Sequence, residues 1–256
     1  MRSLKSDWLK FRRPIILGST AAFLIIGSVA AVIVGLHELN RPRAHANIAL
    51  YSQVDGVRSI LYHSTDVFAI LGIGFAAFSF ANEFSSGTLR NLIVRQPHRL
   101  ALFGGKAVVV GAILSVGVAL AYAVALPAAL ISAPQYGVST QLWTTSAGIG
   151  SILAGGGDLI LSTLGYAVIG AVLGMTMRSP AAAIVVALAY VYGVEGLLTN
   201  AFASMSNVLF ASQLDAIAHG GTVDVGYGSA LLVAAAWAVG LSLLAGIDLR
   251  RRDVGV

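Results

Sequence analysis

Long apolar runs alternate with short polar islands along the whole chain. The runs cover about 15–36, 59–81, 107–131, 158–177, 181–199 and 227–247. Each reaches or approaches the roughly 20 residues that cross about 30 Å of hydrocarbon at about 1.5 Å per residue. The pattern predicts an all-α integral membrane protein, with six transmembrane helices in a single domain spanning 1–256. The fourth run is the hardest to bound. Apolar sequence extends from Ala147 to Met177, and Gly155-Gly156-Gly157 is expected to interrupt it, leaving the preceding residues shallow at the outer surface. Within the same run Gly170 and Gly174 form a small-xxx-small pair that permits close helix contact.

The polar islands predict smaller elements. In residues 1–13, Leu4, Trp8 and Phe11 recur at i, i+4, i+7, with Lys5, Lys10, Arg12 and Arg13 off that stripe, as in an interfacial helix. A basic start before an apolar run also suggests a signal peptide, with Ala44-His45-Ala46 as its cleavage site. The run is longer than a signal core and Ala44 lies well past its end, so an uncleaved span is expected. Residues 37–58 form a first external loop, and 132–146 a second external stretch. Between spans 5 and 6, residues 208–218 form a short amphipathic external helix. Between spans 2 and 3, Leu89, Leu92 and Ile93 fall at i, i+3, i+4. They place an apolar face on a short helix that Ser85 or Ser86 caps and Pro97 ends.

Composition fits this layout. Hydrophobic residues make up 57% and charged residues 11%, against about 25% charged in a soluble domain. The net charge of +5 does not indicate a nucleic-acid partner, because the cations sit in clusters at the ends of apolar runs. They set orientation instead. Arg2, Lys5, Lys10, Arg12, Arg13, Arg90, Arg95, Arg99, Lys106, Arg178 and Arg250–Arg252 come out cytoplasmic, while Arg41, Arg43 and Arg58 fall outside. That asymmetry places both termini in the cytoplasm. There is no cysteine, which excludes disulfides and thiolate metal sites.

Catalytic motifs are missing. Gly104-Gly105-Lys106 lacks the upstream glycine and the Ser/Thr of a phosphate-cradling P-loop. The five histidines are scattered without ligand spacing. The chain is therefore expected not to be an enzyme and to bind no metal or cofactor of its own.

Three acids remain inside apolar sequence. Asp66 and Glu195 lie about 22 Å and about 21 Å from the inner ends of spans 2 and 5, in the outer part of the bilayer, and Asp158 comes out near the outer boundary. A charge at such depth is costly, so these side chains face protein or water rather than lipid. Two readings follow. In one, Asp66, Asp158 and Glu195, with the aromatic faces of Tyr190 and Tyr192, line an acidic outer vestibule for cationic amphiphiles. In the other, the acids are protonated or hydrogen-bonded to the external segment and support structure.

Glu83, Gly87-Thr88-Leu89, Leu92, Pro97-x-Arg99 and Gly105-Lys106 together resemble the signature of type-2 ATP-binding-cassette permeases. The signature covers about 25 residues, and the six-span layout extends the resemblance along the chain. The resemblance implies that residues 83–99 form a cytoplasmic coupling helix that docks on a separate ATPase subunit. Leu89, Leu92 and Ile93 would make the contact, with Arg90, Arg95 and Arg99 orienting it. Glu83 would anchor the start, by capping or by pairing with a nearby cation. Gly87, Thr88 and Pro97 complete the motif. The residue 1–13 helix would be the elbow with which such permeases begin. The implied assembly is two six-span subunits, identical or related, over two ATPases that bind ATP and Mg, in a bacterial plasma membrane. It would export an amphipathic drug or antibiotic, or a lipid. The competing class is an ion-gradient-driven secondary transporter with no ATPase partner. The polar segment after span 2 has no counterpart after span 5, and the acids lie outward of the midplane, both of which weigh against it.

Overall fold

The computed structural model describes residues 14–40, 45–85 and 99–251. The helix expected over 1–13 lies outside the described residues, as do Gly87, Thr88, Leu89, Arg90, Leu92, Ile93, Arg95 and Pro97. Among the described residues every regular element is helical. The order is α1 (Pro14–His37), α2 (His45–Tyr51), α3 (Gly56–Leu61), α4 (Thr65–Ser85), α5 (Arg99–Ser132) and α6 (Ser146–Met177). These are followed by α7 (Pro180–Leu188), a π-helical stretch (Ala189–Glu195), α8 (Gly196–Ala201), α9 (Phe210–His219) and α10 (Tyr227–Arg251).

Five helical stretches are long and apolar enough to cross a membrane: Gly56–Glu83, Phe103–Tyr136, Ser146–Met177, Pro180–Ala201 and Tyr227–Asp248. In α1 the described apolar stretch, Ala22–His37, is shorter. Helices are the natural form for such sequence, because apolar surroundings offer no water to satisfy main-chain N–H and C=O groups.

The main packing axis pairs α4 with α6, while α1 lies along α5 and α9 caps α6 and α10. The pair Gly170 and Gly174 is what lets α6 approach α4. A Cβ on Gly174 would stand 2.7 Å from the carbonyl oxygen of Ala77, so any side chain there would push the helices apart. Trp143 is fully buried and donates its indole N–H to the Tyr51 carbonyl at 3.1 Å. This contact ties α2 to the stretch between α5 and α6.

Several boundaries differ from the sequence expectation. Gly155-Gly156-Gly157 does not interrupt the fourth run: α6 is one continuous helix of 32 residues. A Cβ on Gly155 would lie 3.1 Å from Arg58 Cγ and 3.2 Å from the Tyr122 hydroxyl. The glycines make room for neighbouring side chains, and unbroken helix bonding outweighs their low propensity. α5 starts at Arg99, ahead of the expected 107, and carries Pro127 within it. The expected first external loop, 37–58, holds the short helix α2 and the start of α3, which leads into the apolar stretch Gly56–Glu83. A tight turn at Met177–Pro180 joins α6 to α7. Arg178 adopts the left-handed conformation that ends α6, and Ser179 caps α7 with Pro180 in its first turn.

Candidate functional site

Of the predicted inner segment, the structure describes the two ends. Glu83 closes α4 and Lys106 sits in the second turn of α5. Both are buried, and the carboxylate and ammonium are 2.5 Å apart. The Lys106 ammonium also lies 5.6 Å from the centre of the Phe80 ring, which stacks on Phe103. A buried ion pair of this kind is costly to leave half-made. It therefore fixes the two helix ends against each other and sets where the intervening segment leaves and rejoins the bundle. Arg99 heads α5 as part of that return.

At the opposite end, Asp158 belongs to a separate polar knot. Its carboxylate pairs with the Arg58 guanidinium and accepts a 2.5 Å hydrogen bond from the Tyr227 hydroxyl. Three elements, α3, α6 and α10, meet there. Asp158 is 7% exposed, and its charge is answered within the knot.

Glu195 is 2% exposed and is engaged differently. It ends the π-helical stretch, and its carboxylate accepts from the main-chain N–H groups of Ala211 at 3.0 and 3.2 Å and of Ser212 at 3.2 Å. These are first-turn donors of α9, which have no partner inside their own helix. A side chain from one membrane helix thus caps another helix, with the favourable end of the α9 dipole facing it. Tyr190 lies five residues before Glu195 within the same stretch. That i, i+5 spacing is the π-helical repeat.

Asp66, Tyr192 and Glu195 come together on a cavity of about 360 Å³ between α4, α6, the π stretch and α9. Asp158 and Tyr190 do not line it. The Tyr192 hydroxyl donates to Asp66 Oδ1 at 3.2 Å. Asp215, Asp224 and Tyr166 complete the polar wall. Asp215 accepts from the Tyr62 hydroxyl at 2.6 Å, and His219 Nδ1 lies 3.6 Å from its other oxygen. Its side chain keeps 43% of its surface exposed. Partial burial still raises the Asp215 carboxyl pKa, with the Asp66 charge adding to the rise, against the hydrogen bond from Tyr62 and the charge of His219. Burial lowers the His219 pKa, and Asp215 opposes that shift.

Sequence reasoning missed Asp215 and Asp224, because acids in an external segment look ordinary. It also missed Arg58 as the partner of Asp158, a contact across 100 positions. The one available signal for Arg58 was a cation directly abutting an apolar run.

No curated protein and no solved structure matches the chain. A family profile described as a protein of unknown function (DUF2705) matches residues 43–255, most of its length. The chain belongs to that family.

Proposed function

We propose that this chain is the membrane permease subunit of an ATP-driven exporter, working with a separate ATPase and a second permease subunit. The observation that carries the reading is the buried Glu83–Lys106 pair. It joins the two ends of a polar segment whose residues resemble the coupling helix of type-2 ATP-binding-cassette permeases. A segment that receives force from a soluble partner is useful only if the force reaches the spans. A shared ion pair at its base delivers that force to α4 and α5 together.

In this reading α1 is the first of six spans, both termini are cytoplasmic and the membrane is the bacterial plasma membrane. ATP and Mg bind the partner alone. ATP-driven closure of the ATPases moves the coupling segments and biases the bundle between two discrete arrangements. An amphipathic substrate, a drug, antibiotic or lipid, then leaves outward. The test uses two substitutions in the inner segment. Gly87→Pro and Leu92→Asp should leave membrane insertion intact and abolish the stimulated ATPase activity of the assembled complex. Normal activity in both variants would sink the coupling assignment.

A further inference from the structure

We propose that the outer cavity is a binding site for an organic cation with an apolar body. As a substrate class for the exporter this inference rests on the reading above; the binding itself is measured without it. The cavity, about 360 Å³, lies within the roughly 300–1,000 Å³ range of small-molecule sites. Four carboxylates, Asp66, Glu195, Asp215 and Asp224, stand on its wall, and no Lys, Arg or His is among the residues that line it.

Three of the four carboxylates are met by uncharged donors, and Asp215 also by His219. The nearby cation, Arg58, is committed to Asp158. Glu195 is met by main-chain N–H groups, Asp66 by Tyr192, and Asp215 by Tyr62 with His219 at 3.6 Å. Asp224 has no partner among the described residues. A concave site lined by charge of one sign concentrates its field inward.

The remaining walls select the rest of the ligand. Tyr192, 45% exposed, stands beside the acids as an aromatic side chain of the kind that holds alkylammonium and aromatic cations. Val223, which precedes Asp224 in the chain, is fully exposed. Among the described residues no group of three or more His, Asp or Glu has metal-holding geometry. The spread of the acids around a wide space suits a diffuse organic charge rather than a small ion that needs close ligands.

The test is ethidium fluorescence with the full chain in phosphatidylcholine nanodiscs, without ATPase or nucleotide. The expected result is saturable binding, displaced by tetraphenylphosphonium. Affinity should fall about tenfold in Asp66→Asn and again in the Asp66→Asn/Asp224→Asn double variant. Both residues are exposed, so these variants keep the fold. Asp55→Asn, an exposed acid outside the cavity, should bind as wild type. Equal affinity in wild type and double variant, or equal losses in Asp55→Asn, would overturn the site. So would displacement by calcium but not by tetraphenylphosphonium, which would mark an inorganic ion site. A missing isotherm on a chain that still copurifies with an ATPase rejects this site alone. Binding by a chain that has no ATPase partner keeps the site and rejects the exporter.

Discussion

Glu83 and Lys106 lie 2.5 Å apart in the interior of the bundle, one ending α4 and the other near the start of α5. Between them runs the polar segment that the sequence singles out. The pair fixes the end of α4 against the start of α5, on either side of that segment.

Removing one partner leaves the other charge buried. Glu83→Gln and Lys106→Met should each destabilise the chain by about 3–5 kcal/mol, while the double variant should recover most of that loss. Thermal unfolding of the detergent-purified chain measures this. Additive losses in the double variant would show that the two residues do not act as a pair.

The outer knot should behave in the same way. Asp158→Leu strands the Arg58 guanidinium, so its loss of stability should exceed that of the Arg58→Met/Asp158→Leu double variant. Tyr227→Phe removes one hydrogen bond to Asp158 and should cost only about 1 kcal/mol, since Tyr227 is partly exposed. The same unfolding measurement distinguishes the three.

Glu195 should be required as an acceptor at the start of α9. Glu195→Ala should lose roughly 1–2 kcal/mol, as at a lost helix cap, and Glu195→Gln less because one acceptor oxygen remains. Hydrogen exchange locates the effect: the Ala211 and Ser212 amides should exchange faster in Glu195→Ala, while amides in α4 stay protected.

The docking of α9 should weaken on mild acidification. The folded His219 pKa is lowered below its ordinary 6.5, mainly by burial, so the folded chain binds this proton less readily than the unfolded one. Its contribution is therefore fully present above 6.5 and is lost as pH falls from there toward the folded value. Asp215 acts in the opposite sense. Its raised pKa gives a contribution that is present below 3.8 and lost as pH rises through the folded value. Intrinsic-rate-corrected hydrogen exchange in α9 should rise between about pH 7.5 and pH 5.5, and His219→Gln should flatten that rise.

Much of this architecture is legible from one-dimensional pattern. The periodic runs gave the spans to within a few residues at 181–199 and 227–247, and the amphipathic 208–218 stretch appears as Phe210–His219. What pattern could not supply is partnership across the chain. Nothing near Asp158 in sequence points to Arg58, and nothing near Glu195 points to the main chain of Ala211. Glycines were misleading for a related reason. Gly155–Gly157 look like a break when read locally, but are spacing for Arg58 and Tyr122 when the neighbouring helices are present. The π-helical stretch had no sequence signature at all. For Glu195, hydrogen bonding to the external segment, one of the two sequence readings, is what the geometry shows. The acidic wall around Asp66 keeps the other reading in play as a proposal.

The most direct measurement of the central claim is gentle detergent purification of the chain from its native membrane, with identification of whatever accompanies it. The account predicts a copurifying P-loop ATPase whose stimulated activity is lost with Gly87→Pro. A chain that purifies alone, shows no ATPase activity, and still transports in vesicles under an ion gradient would contradict it.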